Sequence, residues 1–523
     1  MSESSISLNT CILILKEHHL LKSSAVQDAV PTKMDYISYD SRDIKTNTLF
    51  FCKGQGFRPT YLSMAKDNGA ICYVAEQPYP EGKGMHALIV RDVSKAMALL
   101  SAAFFQFPQD DLYVVAFTGT KGKTTSAYFL KGMLDEINGG RTALISSVND
   151  VVGPKPEDTF KSSLTTPESL DLFRDMRTAV DNGMTHLVME VSSQAYKKNR
   201  VFGLTYDLGF FLNISPDHIG PNEHPNFDDY LHCKLQLMVN SRKCIINAMT
   251  DHFQEVYAAA TTTTQPDSIY LFARSDFESP ENLKNPIDFR FKSEETDMAE
   301  TKFDLECVTD KAKKLPIAGD YTLQMIGDFN EINATAAIIG AGLAGESYQE
   351  AAKGIRHVTI PGRMETLPIK NHGIVVVDYA HNKASMMALM SFMRKEFDNP
   401  KIIVVVGAPG DKGVSRRPGF SESLTAYADK VFLTTDDPGF EDPMSIAQEI
   451  DAGIDHDKVD VTIELDREKA IHEAIELAGK DDVVLICGKG ADPFQKIRGI
   501  DTPYPTDIKV AESILKELEK DED

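Results

Sequence analysis

The feature that most constrains the fold of this chain is a glycine-rich segment between a buried strand and a helix. The run YVVAF, from Tyr113 to Phe117, is continuously apolar, which is typical of a parallel strand buried on both faces. The spacing of apolar residues in SAYFLKGMLDEI indicates the helix that follows. Between the two lie Gly119, Thr120, Lys121, Gly122, Lys123, Thr124 and Thr125. Glycines let backbone N–H groups approach a phosphate, and the helix N-terminus adds partial positive charge, so the segment predicts a phosphate-binding loop.

This loop is shorter than the general P-loop. Two residues separate Gly119 from Gly122, whereas the general motif has four residues between its glycines. Lys123 is expected to reach the terminal phosphates of ATP, and the Thr124 hydroxyl is expected to ligate Mg²⁺. The alternative interpretation is a glycine-rich turn that carries a basic residue. The short spacing makes the loop less like those of GTPases and motor proteins.

The alternation of strands and helices predicts an α/β protein of three domains. With 523 residues, the chain exceeds what one hydrophobic core usually serves. We expect a smaller N-terminal α/β domain at 1–112, a central P-loop domain at 113–358 and a Rossmann-like C-terminal α/β domain at 359–523. The central domain is expected to contain a doubly wound, mostly parallel sheet. The segment 254–316 is interpreted as a β-rich elaboration of it.

Composition argues against several classes of partner and location. The formal net charge of −23 disfavours nucleic acid or an anionic membrane surface as the general partner. Seven scattered cysteines without a C-x-x-C pair fit free thiols in a reducing compartment, and the adjacent His232 and Cys233 have no second pair with which to bind zinc. The N-terminus lacks the basic residues of a signal peptide, and no apolar stretch approaches 18 residues. We therefore expect a cytoplasmic protein without a membrane partner.

Eight segments in order along the chain resemble the motifs of the Mur ligases and their relatives, the folylpolyglutamate synthetases. Besides the short loop they are YDSR (39–42), SLTTPES (163–169), MEVSSQ (189–194), PDH (216–218), PGRME (361–365), DYAH (378–381) and GKGAD (488–492). Each segment alone is a weak signal, but eight in order on the expected strands and loops are specific. The resemblance implies an ATP-dependent ligase, in the branch that adds the third residue of the peptidoglycan stem peptide.

The resemblance also implies the reaction and its partners. ATP would phosphorylate the γ-carboxylate of D-glutamate in UDP-N-acetylmuramoyl-L-alanyl-D-glutamate, and the amine of L-lysine would then displace phosphate from the acyl phosphate. ATP and Mg²⁺ are the implied cofactors, together with a carbamylated lysine. A monomer is the expected state, with a role in peptidoglycan biosynthesis and therefore in cell shape and division.

The catalytic and metal-binding residues are carried over from the family motifs. Glu190 ends an apolar strand, where its carboxylate is expected to reach the metal held by Thr124; a solvated glutamate is the alternative. His218 matches a ligand of a second Mg²⁺, although a lone histidine is more often structural. Lys234 matches the lysine that becomes carbamylated and supports Mg²⁺, with an ordinary surface lysine as the alternative. Lys123 completes the expected catalytic set.

Two further sets of residues are implied to bind the nucleotides. Hydroxyls and an arginine suit a sugar, a diphosphate and a carboxylate, and the positions matched to the UDP-substrate are Ser41, Thr165, Thr166, Ser192 and Arg200. The contacts to ATP matched in the C-terminal domain are Arg363, Asp378 and His381. A cap or a turn is the alternative role for the hydroxyl residues. The origin of the ATP contacts in a separate domain implies a site that closes when the domains move together.

The loop after the third apolar strand of the C-terminal domain predicts which amino acid is added. Diaminopimelate-adding members carry D-N-P-R there, whereas this chain has D-D-P-G at 436–439. Diaminopimelate has an extra carboxylate that suits an arginine, while lysine ends in an ammonium that suits carboxylates. The expected lysine-binding residues are Asp436, Asp437, Arg416 and Asp492, with Arg417 as the alternative to Arg416 for the α-carboxylate. Ornithine would satisfy the same charges, and an acidic loop without selectivity is the remaining alternative.

Three other functions stay open at this point. A diaminopimelate-adding ligase is disfavoured by Gly439, and a folylpolyglutamate synthetase is disfavoured because the N-terminal segment resembles a uridine-nucleotide binder. A P-loop NTPase that acts as a switch or binding module would hydrolyse ATP without joining anything. The DYAH and TTDDP loops argue against a switch, because a switch has no use for an amino-acid pocket.

Overall fold

The computed structural model describes residues 4–54, 56–216, 219–220, 223–278, 285–294, 300–325, 327–369, 373–397, 399–410 and 416–521. The chain divides into two compact units. The first comprises 1–292, 303–321 and 331–356, and the second comprises 293–302, 322–330 and 357–523. Within the described ranges, no helix is both long and apolar enough to cross a bilayer. All seven cysteines are buried thiols.

The N-terminal segment forms a small α/β layer. Its described elements are β1 (Ile6–Ser7), α1 (Leu8–Glu17), β2 (Leu21–Ala25), β3 (Lys33–Met34), β4 (Tyr36–Ser38), β5 (Thr48–Phe51), α2 (Pro59–Asp67), β6 (Ala70–Ala75), β7 (His86–Val90) and α3 (Val93–Phe104). A sheet of order β2-β7-β6-β5-β4 is parallel from β7 to β4, with β2 antiparallel at its edge. The apolar runs predicted β5, β6 and β7 but not α1, α2 or α3. Side chains cap two of these helices, since Ser7 and Asp92 accept hydrogen bonds from backbone amides of α1 and α3.

The central segment forms the largest sheet. Its described elements are β8 (Tyr113–Thr118), α4 (Lys123–Asn138), β9 (Thr142–Ile145), β10 (Asn149–Val151), β11 (Thr159–Lys161), α5 (Ser169–Asp181), β12 (His186–Glu190), α6 (Ser193–Lys197), β13 (Tyr206–Phe211), α7 (Phe227–Val239), β14 (Ser241–Asn247), α8 (Phe253–Thr261), β15 (Ile269–Arg274), β16 (Phe289–Ser293), β17 (Thr301–Cys307), β18 (Gly319–Leu323), α9 (Asp328–Leu343) and α10 (Tyr348–Arg356). The sheet order is β11-β10-β9-β12-β8-β13-β14-β15-β16-β17-β18, and the strands from β9 to β16 are parallel. The segment 254–316 is therefore β-rich, as predicted, except that it begins within α8.

The strand order places the phosphate-binding loop at a topological switch point. β8 lies between β12 and β13. The chain leaves β8 to form β9 and β12 on one side, and it later forms β13 on the other side. In open α/β sheets, ligands bind outside the carboxyl ends of the strands at such a point. The loops that follow β8, β9, β12 and β13 therefore converge on one place.

The C-terminal segment forms a second α/β sheet. Its described elements are β19 (Glu365–Pro368), β20 (Ile374–Asp378), α11 (Lys383–Glu396), β21 (Ile402–Val406), α12 (Arg417–Tyr427), β22 (Lys430–Leu433), α13 (Pro443–Asp451), β23 (Asp460–Ile463), α14 (Arg467–Leu477), β24 (Val483–Cys487), β25 (Phe494–Ile497), β26 (Ile500–Pro503) and α15 (Asp507–Asp521). The order is β19-β20-β24-β21-β22-β23, parallel except for β19. The apolar runs predicted β20, β21, β22 and β24. They did not predict the hairpin β25–β26, whose strands are exposed or half-buried and lack an apolar pattern.

Candidate active site

The phosphate-binding loop closes tightly against α9, and this closure requires a glycine. Gly122 has φ +84°, in the left-handed region, and α4 begins directly after it. A Cβ atom at Gly122 would lie 2.1 Å from the Oδ1 atom of Asn333, a buried residue of α9. The motifs did not identify Asn333 as part of the site. The amides in the first turn of α4 are thereby held in the loop, where they suit a phosphate.

Two lysine side chains converge on one carbonyl oxygen of this loop. Lys123 Nζ donates to the carbonyl oxygens of Gly119 (2.9 Å) and Thr120 (3.3 Å). Lys234 projects from α7, is 2% exposed, and donates to the same Gly119 oxygen at 2.7 Å. The Lys234 nitrogen also lies 4.9 Å from the centre of the Tyr230 ring, whose hydroxyl shares a hydrogen bond with Thr120. Lys234 is therefore not the surface lysine of the alternative interpretation.

A serine hydroxyl joins two of the side chains that are expected to hold a metal, those of Thr124 and Glu190. The hydroxyls of Thr124 and Ser147 share a hydrogen bond of 3.0 Å. Ser147 donates to Glu190 Oε1 from its backbone N–H at 2.7 Å and from its hydroxyl at 3.1 Å. Glu190 is 1% exposed, which excludes the solvated glutamate of the alternative interpretation. Mg²⁺ takes oxygen ligands, so the oxygen atoms that meet here fit this ion.

His218 lies outside the described residues, and its role as a second metal ligand stays a prediction. Near it in sequence, His224 is fully buried and contacts both α6 and α7. Its Nδ1 lies 2.6 Å from an Asp229 carboxylate oxygen, and its Nε2 lies 2.9 Å from the Ser193 hydroxyl. The donor atoms of His224, Asp229 and Cys233 lie within 4.8 Å of one another. Because both ring nitrogens already have hydrogen-bond partners, we interpret this cluster as a structural contact that joins α6 to α7.

Three residues matched to the UDP-substrate form one network with the strand end of β12. The Thr166 hydroxyl donates to the carbonyl oxygen of Glu190 at 3.0 Å and accepts from the Ser192 amide at 3.1 Å. Ser192 also caps α6 through its side chain. Arg200 is 7% exposed and donates to the Thr166 carbonyl oxygen at 3.2 Å. Thr166 thus links the substrate-side residues directly to the backbone of the expected metal ligand.

A carboxylate of the SLTTPES segment, to which the sequence analysis assigned no role, lies beside this arginine. Arg200 Nε and Nη2 contact Glu168 Oε1 at 3.0 and 2.9 Å, and Lys53 binds the other oxygen of Glu168. Burial would raise the pKa of Glu168, but Lys53 and Arg200 hold that pKa below its ordinary value. Two cations around one carboxylate leave one net positive charge, which suits an anionic ligand.

The other two matched residues occupy different places in the first unit. Thr165 is half-buried in the loop between β11 and α5, whereas Ser41 is 7% exposed in the segment after β4. A cavity of about 850 Å³ adjoins that segment. Tyr39 is among its lining residues, together with Asp171 and Arg174 of α5. The segment 39–42 therefore lies beside a cavity of the size that a ligand requires.

In the second unit, the residues matched to ATP lie around the carboxyl end of β20. Asp378 accepts two backbone N–H groups, at 3.0 and 2.8 Å, while burial raises its pKa against the opposing effect of Arg363. The Arg363 Nε atom is buried without a hydrogen-bond partner in the described part of the chain. Burial lowers the pKa of His381, as do Arg416 and Arg363, although a hydrogen bond to a carbonyl opposes this. Burial and the two arginines thus favour the neutral form of the His381 ring.

The two aspartates that are expected to bind lysine have an internal cation beside them. Lys489 Nζ lies 2.7 Å from Asp437 Oδ1 and 3.8 Å from Asp436 Oδ1. Lys489 and Asp436 are both buried, and burial raises the pKa of Asp436 to about 6 in spite of the lysine. At neutral pH the three groups together carry one net negative charge. Asp492, half-buried, follows in the same loop as Lys489.

The structure separates the two arginines and gives Gly439 a conformational role. Arg417 is 3% exposed and binds Glu441 at 2.7 Å and Glu449 at 2.5 Å. Arg416 is exposed and directly precedes α12. Its guanidinium is therefore the remaining candidate for binding the α-carboxylate of the added amino acid. Gly439 has φ +61°, in the left-handed region. An arginine at this position would therefore strain the backbone as well as add a positive charge to the loop.

Two sequence profiles of known domains match the chain. The profile described as the Mur ligase middle domain matches residues 117–341. The profile described as the Mur ligase, glutamate ligase domain matches residues 362–490. Together the matched ranges cover more than half of the 523 residues.

Known proteins are similar along nearly the whole chain. The UDP-N-acetylmuramyl-tripeptide synthetase of Lactobacillus acidophilus is 86% identical over 515 residues, which is 98% of this chain and 98% of that protein. The UDP-N-acetylmuramoyl-L-alanyl-D-glutamate--L-lysine ligase of Enterococcus faecalis is 46% identical over 480 residues, covering 92% and 91%. A solved structure of a UDP-N-acetylmuramoyl-L-alanyl-D-glutamate--2,6-diaminopimelate ligase has a TM-score of 0.65 at 22% identity, covering 98% and 99%. At that identity, the likeness concerns the fold alone.

Proposed function

This chain belongs to the Mur ligase family, and on that premise we propose that it adds L-lysine to the D-glutamate γ-carboxylate of UDP-N-acetylmuramoyl-L-alanyl-D-glutamate. The family resemblance and the α/β fold class predicted from the sequence are confirmed by the matched profiles and the shared fold. The protein is an ATP-dependent ligase. We also propose domain boundaries at 112/113 and 358/359. The enzyme is proposed to be a monomer in the cytoplasm.

The observation that carries the proposal is the double role of Glu190. Its carboxylate accepts from Ser147, which also contacts Thr124 in the phosphate-binding loop. Its carbonyl oxygen accepts from Thr166, in the network matched to the UDP-substrate. A γ-phosphate in the loop and a carboxylate held near Thr166 would therefore meet at this strand end, as phosphoryl transfer to a carboxylate requires.

In the first step, an oxygen of the D-glutamate γ-carboxylate attacks the γ-phosphorus of ATP. The bond from that phosphorus to the β-phosphate oxygen breaks, and ADP leaves. A carboxylate is a poor electrophile, and the acyl phosphate supplies the leaving group that it lacks. Lys123 and the first amides of α4 bind the phosphates and neutralise their charge. Thr124 and Glu190 would hold Mg²⁺, which when bound neutralises charge on the phosphate oxygens.

We assign the carbamylated lysine to Lys234. Its ammonium and that of Lys123 contact the same carbonyl oxygen, so two cations lie close together and one of them, Lys234, is buried. Addition of CO₂ to the Lys234 amine, with loss of a proton, makes an anion with two oxygens and replaces a repulsive pair by an attractive one.

A Lys234→Ala variant tests this assignment. It is expected to lose most of its ligase activity and to regain part of it when a short carboxylic acid such as formate is added, because the acid restores the missing anion. Lys131→Ala, on α4, is the control that should need no rescue. Restoration by methylamine but not by formate would show that Lys234 acts as a cation.

In the second step, the α-amine of L-lysine attacks the carbonyl carbon of the acyl phosphate. The bond to the phosphate oxygen breaks, phosphate leaves, and the nitrogen loses a proton. We propose that the net negative charge of Asp436, Asp437 and Lys489 attracts the ε-ammonium of L-lysine. Arg416 binds the α-carboxylate and Asp492 assists at the ammonium end.

Phosphate release with ATP, Mg²⁺ and UDP-N-acetylmuramoyl-L-alanyl-D-glutamate tests the function when L-lysine, L-ornithine or meso-diaminopimelate is added in turn. L-Lysine is expected to support turnover and to give a product heavier by one lysine residue. A preference for diaminopimelate would leave the ligase assignment standing and overturn the role of Asp437 and Gly439. Phosphate release that is independent of any amine would favour an NTPase and overturn the ligase assignment.

An Asp437→Asn variant tests the acidic loop more directly. The amide keeps an oxygen that can accept from Lys489 but removes the charge, so the KM for L-lysine is expected to rise about 10–100-fold with little change in kcat. Asp501→Asn, at an exposed position on the β25–β26 hairpin, is the matched control and should leave that KM unchanged. An equal KM in both variants would contradict the proposed contact.

A further inference from the structure

Asp150, on β10, joins two segments that the proposed reaction uses for different ligands. It is 3% exposed, and its Oδ1 atom accepts from the Ser146 amide at 3.2 Å and from the Ser162 hydroxyl at 2.7 Å. Ser146 follows β9 and directly precedes Ser147, on the metal side of the site. Ser162 follows β11 and begins the segment 162–166, on the substrate side.

The same two segments meet a second time at Glu190. The Glu190 carboxylate accepts from Ser147, and its carbonyl oxygen accepts from Thr166. Hydrogen bonds and short stretches of chain therefore form a closed ring through Glu190, Ser147, Ser146, Asp150, Ser162 and Thr166. A backbone hydrogen bond from Ser162 to the Val148 carbonyl, at 3.1 Å, lies beside the ring and reinforces it.

We propose that Asp150 is a positioning residue that couples binding of the UDP-substrate to binding of Mg²⁺. The proposal rests on the proposed function. A substrate that orders the segment 162–166 acts through Ser162 and Asp150 on the backbone at Ser146. That backbone carries Ser147, which sets the position of the Glu190 carboxylate. By thermodynamic linkage the effect is reciprocal, so bound Mg²⁺ raises the affinity for the UDP-substrate by the same factor by which the UDP-substrate raises the affinity for Mg²⁺.

The geometry distinguishes this role from ordinary satisfaction of a buried polar group. A buried carboxylate needs hydrogen bonds wherever it lies, and bonds within a single turn would suffice. Here the two donors come from separate segments. One segment leads to Ser147, which holds the Glu190 carboxylate, and the other leads to Thr166. Asp150 itself has no described contact with Thr124 or Thr166, and it is therefore not a catalytic residue.

Calorimetric titration of the full-length protein with UDP-N-acetylmuramoyl-L-alanyl-D-glutamate measures the coupling. The titration is done in the presence of ADP, which cannot phosphorylate the substrate, once with Mg²⁺ and once with EDTA. In the wild type, Mg²⁺ is expected to tighten binding by about 5–50-fold. In Asp150→Ala this factor is expected to fall to about 1–2, because both bonds to the ring are lost. Asp150→Asn keeps an oxygen that can accept both bonds and should retain most of the factor.

A second variant keeps the test decisive if Asp150→Ala fails to fold. Ser162→Ala breaks the same link at a half-buried position and is expected to reduce the factor to a similar extent. In the double variant, the loss should not exceed that of Asp150→Ala alone, because both substitutions cut one connection. Asp288→Asn is the control that should keep the wild-type factor, because Asp288 is equally buried and also accepts from a backbone amide and a hydroxyl, but lies outside the ring.

The outcomes separate this inference from the proposed function. No binding of the UDP-substrate to the wild type would overturn the proposed function. Binding by the wild type without any effect of Mg²⁺, or a wild-type factor in both Asp150→Ala and Ser162→Ala, would overturn the coupling role alone. Thermal unfolding of each variant is recorded in parallel, because a purely structural role would lower the melting temperature and leave the factor unchanged.

Discussion

Replacing Lys123 by methionine is expected to lower kcat/KM about 10²–10³-fold while leaving the fold intact. Methionine has a similar unbranched shape but lacks the ammonium that now contacts the carbonyl oxygens of Gly119 and Thr120. During phosphoryl transfer this ammonium would neutralise charge on the phosphate, in a half-buried loop where screening by water is weak. Steady-state phosphate release with ATP, the UDP-substrate and L-lysine measures the effect.

Lys131→Met, further along α4, is the matched control for this substitution. Lys131 pairs with Asp135 at 2.5 Å on the same helix, and a pair with this spacing contributes only about 0.3–0.5 kcal/mol to stability. Its kcat/KM should equal that of the wild type. Lys123→Arg should not restore full activity, because the planar guanidinium does not replace a compact ammonium. Normal turnover by Lys123→Met would show that the loop does not bind the transferred phosphate.

The features of the site that could be predicted from the sequence have a local signal or follow from sheet geometry. The strand, loop and helix around Lys123 are contiguous, and the glycine spacing encodes the turn between them. Glu190 ends an apolar strand in a family motif, which predicts its proximity to Thr124, and parallel strands do end at the same edge of a sheet. The structure does pair β12 with β8, and it places both side chains against one serine.

The features that could not be predicted depend on common residues brought together from distant segments. Ser147 lies 43 positions from Glu190, in no motif, and only the register of β9 beside β12 brings it there. Lys489 lies 52 positions from Asp437, so the acidic loop gives no sign of its internal cation. The N-terminal helices were missed because each is short, and tertiary packing stabilises such helices more than their own sequence does.

Asp507→Ala is expected to lower the free energy of unfolding by about 3–5 kcal/mol. The side chains of Arg467 and Asp507 are 1% and 0% exposed and share two hydrogen bonds of 2.7 and 2.8 Å. Arg467 also donates to the Cys487 carbonyl oxygen at 2.9 Å, and the Tyr504 hydroxyl donates to Asp507 at 2.8 Å. Removal of the carboxylate leaves a buried guanidinium without its paired carboxylate, which accounts for the size of the loss. Urea unfolding followed by circular dichroism measures it.

Two further variants identify the buried charge as the cause. Asp501→Ala removes an aspartate from an exposed pair with Lys496, at 3.4 Å, and should change stability by less than about 1 kcal/mol. Arg467→Met combined with Asp507→Leu removes both charges and fills the space with apolar groups. This double variant should be more stable than Asp507→Ala, because apolar replacement of a buried pair is often neutral. A double variant as unstable as the sum of its single substitutions would contradict the electrostatic explanation.

The same ion pair also connects stability to the proposed amino-acid site. Cys487, which accepts from Arg467, ends β24 just before the loop that carries Lys489 and Asp492. The Asp507 amide donates to the carbonyl oxygen of Gly490 in that loop, at 3.3 Å. At temperatures where Asp507→Ala is still folded, its KM for L-lysine should therefore rise more than its KM for the UDP-substrate, whose matched residues lie in the first unit. An equal rise in both KM values would contradict a selective effect of the ion pair on this loop.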